Sequence, residues 1–321
     1  MRTIGTGTVL AVAMILGSGG ASLLAQAPQQ VRIATGSPTG TYHAAGELIA
    51  QSIASASGVT VVAVPSKGSV ENVRAVAAGQ AETALSQADV AYWAYSGTGE
   101  FEGKPPANEL RAIGHLYPES IHLVVRKGAG VQEVGELRNK RVSLDEQGSG
   151  TLAEARLVLD AWGLKESDLR AEHLTVDAAA QRLKDGTLDA FFYVGGFPVP
   201  AIVELAKSTA IELAPIDGPR AEKLRGSYKF LSKDEIPDDV YKGVVATRTL
   251  SVGAQWITSS KLDVEAVYRL TKALWSDATA QALEAGHPKG KLIRRDNALH
   301  GVGIPLHPGA ERFYKEAGLI N

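Results

Sequence analysis

Short apolar runs alternate with amphipathic segments through the first part of the chain. Residues 31–35 and 59–64 are rich in β-branched side chains, a composition typical of buried parallel strands. Between these runs, Ile49 and Ile53 recur at helical spacing, and Gly58 predicts the end of that helix. The alternation predicts helices packed on a mainly parallel sheet.

The same alternation of predicted strands and helices recurs after residue 140. Thr151 and Glu154 have the spacing of a capping box, which predicts that a helix begins there. The elements predicted from here on are strands at 141–144, near 172–175 and at 190–194, and helices at 151–162, 177–184 and 263–285.

Longer extended runs lie at residues 110–116, 121–125 and 244–257. We interpret them as the places where the chain crosses between two lobes. The predicted fold class is therefore α/β with two lobes, each a mixed, mainly parallel sheet flanked by helices, and a ligand cleft between them. The predicted boundaries are residues 31–118 plus 250–321 for lobe I and residues 119–249 for lobe II.

The N-terminus has the features of an export signal. Arg2 precedes an apolar stretch over residues 4–16, and Ala25 and Ala27 fit the small-x-small pattern before a cleavage site. The sequence therefore predicts a cleaved signal peptide over residues 1–27 and a periplasmic location. A retained N-terminal anchor is the alternative, although the stretch is short for a membrane-spanning helix.

Composition narrows the classes of function. The 321 residues are enough for two domains of ordinary size. A net charge of -2 gives no reason to expect binding to nucleic acid or to an anionic membrane. The absence of cysteine excludes disulfides and cysteine-based metal sites. The seven histidines show no metal-ligand spacing, so neither a metal nor a cofactor is predicted.

Four strand–turn–helix junctions carry the candidate chemistry. The turns at residues 36–42, 65–70 and 147–151 are rich in Gly, Ser and Thr, and Gln87 ends another predicted strand. Helix N-termini expose backbone N–H groups and carry partial positive charge, so several of them in one cleft would bind an anion. Each turn could instead be a simple capped helix start. The first turn lacks the Gly-Lys-Ser/Thr ending of a P-loop, so nucleotide hydrolysis is not predicted.

Seven short stretches match one known family in order and spacing: residues 34–42, 68–73, 87–92, 116–119, 148–151, 189–196 and 305–310. With them, the chain resembles the TAXI-type solute-binding proteins of TRAP transporters from about residue 31 to residue 318. The resemblance implies a periplasmic binding protein of the type II kind that closes on a small solute and delivers it to a TRAP membrane permease. Ligands of that family include glutamate, glutamine-like compounds and 2-oxoglutarate-like dicarboxylates.

On that pattern, the matching ligand-contact residues are Ser37, Thr41, Tyr42, Ser69, Gln87, Ser149, Gly150 and Thr151, with Gly195 nearby. Thr39, His43 and Lys67 depart from the pattern, because a glycine, an aromatic and a small polar residue are usual there. We expect binding of a small carboxylate without catalysis. The alternatives are a receptor of a tricarboxylate-type or ABC importer, and an enzyme that uses Asp89, Asp145 or His43.

Overall fold

The computed structural model describes residues 30–321, so the predicted signal peptide at residues 1–27 lies outside the described residues. Strands and helices alternate at first, because β-branched runs alternate with segments that bury one helical face. These elements are β1 (Gln30–Ala34), α1 (Thr41–Ser57), β2 (Thr60–Val64), α2 (Ser69–Ala77), β3 (Thr83–Gln87) and α3 (Ala88–Ser96), followed by the long strand β4 (Leu110–Arg126).

The chain then forms a second set of elements with several short strands. They are β5 (Arg141–Ser143), α4 (Gly150–Ala161), β6 (Arg170–Glu172), α5 (Val176–Lys184), β7 (Ala190–Gly195), α6 (Pro200–Ser208), β8 (Ile211–Leu213), α7 (Gly218–Ser227) and β9 (Ser232–Ile236). A second long strand returns the chain to the first set, and three helices follow it. They are β10 (Thr247–Ser259), α8 (Val264–Leu274), α9 (Asp277–Gly286) and α10 (Pro308–Glu316).

These strands form one mixed sheet in the order β2-β1-β3-β10-β4-β7-β5-β6, with β8 added to β4 and β9 added to β10. The three strands at each end are parallel, as helical connections require. The centre is antiparallel, because β4 and β10 run in opposite directions across the middle. We call the elements on the β1 side, with α8 to α10, the first lobe, those on the β5 side the second lobe, and β4 and β10 the crossing strands. The predicted lobe boundaries fall inside the crossing strands and stay a prediction.

Each lobe has its own apolar cores. In the first lobe, α1, α8 and α10 pack around the fully buried Trp256, and α2 and α3 pack around Val73. In the second lobe, α4 and α7 pack around Leu159, and α5 and α6 pack around Phe191. The polar turns at the strand ends of the two lobes face each other.

Three elements differ from the sequence-based expectation. Residues 110–126 form one uninterrupted strand, because Pro118 lies where β4 pairs with β10 only, before its pairing with β7 begins. β6 ends at Glu172, since Thr175 already caps α5. The predicted helix at 263–285 is two helices, because Ser276 caps a new start at α9.

The predicted capping box of Thr151 and Glu154 is wrong. α4 begins at Gly150, and the hydroxyl of the N-cap residue Ser149 accepts the N–H of Leu152 at 3.1 Å. The serine that precedes the helix takes the capping role, so Glu154 falls in the second turn. Its side chain is completely buried instead of reaching back to the helix start.

Candidate functional site

Three helices begin at one small cavity between the lobes. α1 and α2 bring their N-termini from the first lobe, and α4 brings its N-terminus from the second. The cavity has a volume of about 40 Å³. The first N–H groups of a helix have no partner within the helix, so this arrangement concentrates donors and partial positive charge at one place.

The structure brings seven of the nine predicted site residues to this cavity: Ser37, Tyr42, Ser69, Gln87, Ser149, Gly150 and Thr151. Thr41 and Gly195 do not line it. The buried hydroxyl of Thr41 donates to the carbonyl oxygen of Gly196 at 2.6 Å. A Cβ on Gly195 would meet the ring of Tyr193 at 2.7 Å, so glycine is needed for this close approach. Thr41 therefore joins the two lobes beside the cavity, and contact of either residue with a ligand stays a prediction.

Hydrogen bonds at the strand ends fix the first-lobe wall of the cavity. The side-chain amide of Asn72 donates to the carbonyl oxygens of Thr35 and Leu85, both at 2.7 Å, which ties α2 to the ends of β1 and β3. The hydroxyl of Ser69 accepts the N–H of Gln87 at 3.1 Å. The N-terminus of α2 is therefore held rigidly against the carboxyl ends of two parallel strands, where open α/β sheets bind ligands.

Gln87 presents a side-chain oxygen that no protein group satisfies. The residue is 2% exposed, and its Oε1 atom has no hydrogen-bond partner among residues 30–321. Leaving a buried polar group unpaired costs about 1–3 kcal/mol, so a bound N–H or O–H group that donates to this oxygen would recover that energy. A Cβ on Gly150 would lie 1.6 Å from the same oxygen, so only glycine lets α4 approach this closely.

Glu119 supplies a buried carboxyl group from the crossing strand β4. It is 1% exposed and accepts the hydroxyl of Tyr42 at 2.6 Å. Burial raises the pKa of Glu119 well above its ordinary range, although the hydrogen bond from Tyr42 and the charge of Lys289 oppose the shift. The predicted site residue Tyr42 is thus oriented by Glu119, an acid outside the predicted site.

Asp145 brings a second carboxyl group, from the second lobe. It lies just after β5 in a left-handed conformation with φ of 71° and is 8% exposed. Burial raises its pKa to about 7, although the nearby backbone N–H of Glu146 and the hydroxyls of Thr151 and Ser149 oppose the shift. The N-terminus of α4 therefore already has an acidic group from its own lobe.

Lys67 and Glu146 line the same cavity from opposite lobes. Lys67 is exposed. Burial raises the pKa of Glu146, and the positive charge of Lys67 opposes that shift. Glu119, Glu146 and Tyr193 line the cavity but are absent from the predicted site. Glu119 does lie in a stretch that matches the family pattern, whereas nothing in the local sequence distinguishes Glu146 from a solvated loop residue.

Direct contacts join the lobes around the cavity. The hydroxyl of Thr39 donates to the carboxylate of Asp177 at 2.6 Å, and the N–H of Glu71 donates to the carbonyl oxygen of Gly148 at 2.9 Å. Thr39 is one of the positions that depart from the family pattern. These contacts bring the lobes together around the cavity.

Of the three groups named for an enzyme, Asp145 lines the cavity, whereas His43 and Asp89 do not. His43 does not line it; its Nδ1 lies 3.1 Å from the hydroxyl of Thr35, and its Nε2 lies 3.5 Å from Glu47. Asp89 is buried against Glu154 and does not line it either. Over residues 30–321, no three His, Asp or Glu side chains are placed to ligate one metal ion. Within the same range, the helices lack the combination of length and apolar character that crossing a membrane requires.

Comparisons with known proteins place the fold and the family. The structure is similar to PhnD1 from Prochlorococcus marinus in complex with methylphosphonate, with a TM-score of 0.56 and 12% identity, over 91% of this chain and 100% of that chain. It is also similar to the alkanesulfonate-binding protein SsuA from Xanthomonas axonopodis pv. citri bound to MOPS, with a TM-score of 0.50 and 13% identity, over 90% and 84% of the two chains.

At these identities the similarity concerns the fold alone, and it confirms the predicted two-lobed α/β fold class. The sequence itself gives the family. The model of the NMT1-like family matches residues 33–318, which is most of the chain. This protein therefore belongs to the NMT1-like family.

Proposed function

We propose that this protein is a periplasmic receptor that captures a small carboxylate between its lobes and delivers it to a TRAP-type membrane permease. The observation that carries the proposal is the meeting of three helix N-termini at one cavity. Helix N-termini bind anionic groups without a need for arginine. The interlobe position of the cavity suits capture by hinge closure.

The charges around the cavity favour a carboxylate that also carries an amino group. Asp145 and Glu146 line it beside Lys67, and Glu119 adds a carboxyl group whose pKa is raised well above its ordinary range. A ligand with two carboxylates and no cation would place at least one of them near these acids. A ligand with an ammonium group would pair with them, and hydrogen bonds to charged groups are worth about 1.5–3 kcal/mol. Glutamate is therefore preferred over 2-oxoglutarate.

A sulfonate or phosphonate is the second candidate ligand. The solved structures with a similar fold include one in complex with methylphosphonate and one of an alkanesulfonate-binding protein. The hydroxyls of Ser37, Ser69 and Ser149 at the cavity suit a tetrahedral oxyanion as well as a carboxylate. A receptor with this specificity would serve an ABC importer, and a tricarboxylate-type receptor is the remaining member of this class.

Calorimetric titration of the mature chain with L-glutamate, 2-oxoglutarate, methylphosphonate and MOPS tests the ligand. We expect L-glutamate to bind, and the variant Gln87→Ala to bind it about tenfold more weakly because one hydrogen bond is lost. Gln51→Ala, which changes an exposed glutamine on α1, is the matched control. Binding of methylphosphonate or MOPS in place of glutamate would move the assignment to the second candidate, and binding of none of the four would refute the proposal.

The transporter partner needs a separate test. Uptake of the identified solute into vesicles that contain the candidate permease should require this protein and an ion gradient. Dependence on ATP hydrolysis in place of the gradient would assign the receptor to an ABC importer. Cell fractionation, with the protein expected in the periplasmic fraction, checks the location.

A further inference from the structure

A buried pair of carboxyl groups joins the two lobes near the cavity. Asp89 lies in the first turn of α3 in the first lobe and is 2% exposed. Glu154 lies in the second turn of α4 in the second lobe and is completely buried. Each carboxyl group shifts the pKa of the other, so the two side chains are close neighbours.

The surroundings of these two buried carboxyl groups favour a bound proton. Two carboxylates contain acceptors only, so a hydrogen bond between them exists only when one carries a hydrogen. Oδ1 of Asp89 accepts the N–H of Val90 at 2.7 Å, but Oδ2 of Asp89 and both oxygens of Glu154 have no donor among residues 30–321. An ionised carboxylate buried without a donor is far more costly than a neutral carboxylic acid at the same place.

Burial and the surrounding charges also favour the protonated form of this pair. Burial raises the pKa of Glu154, and the negative charges of Asp89 and then Glu119 raise it further. Burial also raises the pKa of Asp89. The cation Lys289 acts on Glu119. Arg156, two residues further along α4, pairs with acids elsewhere, namely Glu100 and Glu166.

The pair exists only while the lobes are together, because its two members belong to different lobes. The closed interface around it is apolar: Ala153 of α4 packs with Val90 and Ala91 of α3. Trp93 of α3 meets Tyr228, which follows α7, at 6.4 Å between ring centroids. When a hinge motion separates the lobes, water reaches both carboxyl groups, and each returns toward the ordinary behaviour of an exposed acid.

We propose that Asp89 and Glu154 form a proton-binding site that couples closure of the two lobes to the uptake of a proton. The closed state holds more protons than the open state, so acid favours closure and alkali opposes it. The effect is complete below the ordinary pKa of the exposed acids, 3.8 for Asp and 4.5 for Glu, and is lost as the pH rises above that range. For one proton, the closure equilibrium changes by up to about tenfold per pH unit.

One consequence rests on the function proposed above: a receptor with this site captures its solute more tightly in acid. The proton site itself does not depend on the identity of the solute. It is therefore tested on the ligand-free mature chain, so that a wrong ligand assignment leaves the result interpretable.

The test compares the wild type with the double variant Asp89→Asn/Glu154→Gln, in which neutral amides of the same shape replace both acids. Small-angle X-ray scattering from pH 5 to pH 8.5 measures the lobe opening, and denaturant unfolding over the same range measures the stability. We expect the wild type to become more compact and more stable as the pH falls, relative to the double variant. The control is Glu204→Gln, which removes an exposed acid of α6.

The unfolding measurement remains informative if the lobes stay closed at every pH. A proton bound by the native state and not by the unfolded chain makes the free energy of unfolding depend on pH. If the wild type and the double variant show the same pH dependence in both measurements, the proposal is overturned. A double variant that unfolds is replaced by Glu154→Gln alone, for which we expect the same loss of pH dependence in part.

Discussion

The two walls of the cavity are built from the same local motif but differ in charge. The first-lobe wall consists of the N-termini of α1 and α2 with the hydroxyls of Ser37 and Ser69. The second-lobe wall has the N-terminus of α4, and Asp145 lies beside the hydroxyls at that helix start. A glycine- and serine-rich turn before a helix thus has an acidic side chain beside it in the second lobe, whereas in the first lobe a first-turn N–H of α2, that of Glu71, donates to the carbonyl oxygen of Gly148. For the ligand proposed above, we expect the carboxylate to bind at the first lobe and the ammonium group to face Asp145 of the second.

Gly150→Ala should have the largest effect on ligand affinity, because the added methyl group would keep the second wall from packing against the first. The new methyl group would overlap Oε1 of Gln87 and lie 2.8 Å from the hydroxyl of Ser69. Overpacking of this kind costs about 3 kcal/mol, or roughly 100-fold in the Kd for L-glutamate by calorimetry. Gly226→Ala adds a methyl group where nothing lies within 4 Å and should leave the Kd unchanged. Equal affinity of the two variants would show that the lobes do not close this tightly on the ligand.

Tyr42→Phe removes a donor from the first wall and should reduce the stability of the free protein. The hydroxyl of Tyr42 donates to the buried Glu119, so its loss should lower the free energy of unfolding by about 2 kcal/mol. Denaturant unfolding at neutral pH measures the change. Tyr95→Phe, at a half-buried tyrosine of α3, should change it by less than about 0.5 kcal/mol. If Tyr42→Phe lowers the free energy of unfolding by no more than Tyr95→Phe does, the hydrogen bond between Tyr42 and Glu119 does not stabilise the folded protein.

Asp145→Asn tests the charge of the second wall directly. The pKa of Asp145 is about 7, so its negative charge is present above that pH and lost below it. For a ligand with an ammonium group, the affinity of the wild type relative to the variant should rise as the pH increases through 7, reaching about tenfold. For 2-oxoglutarate the sign reverses. Comparison of the two chains at each pH cancels the contribution of Asp89 and Glu154, and calorimetry with both ligands decides the sign.

Asp177→Asn should have the smallest effect. The bond between Thr39 and Asp177 joins the two walls at an exposed position, where such contacts are worth about 0.5 kcal/mol. We expect the Kd for L-glutamate to change by about twofold. Asp185→Asn, at the end of α5 and away from the first lobe, is the control. A tenfold loss would make this exposed contact a main determinant of closure.

Local sequence patterns predict the elements well where the signal is confined to a few neighbouring residues. The turns that precede α1, α2 and α4 could be located because Gly, Ser and Thr at a strand end have few other uses. The same local view assigns Glu154 to a helix cap. It fails there because Ser149 and Thr151 are both reasonable N-cap residues, and only the conformation of the loop decides between them.

The sequence by itself determines the alternation of strands and helices, the two-lobed α/β class and most of the polar turns at the cavity, because these depend on periodicity and on preferences over short distances. Only the tertiary structure decides which acids meet. Glu119 lies at the cavity because the crossing strand β4 passes it, and Asp145 lies at the start of α4. Asp89 of the first lobe lies beside Glu154 of the second. The charge and protonation of such groups depend on burial and on neighbours distant in sequence, which no local pattern records.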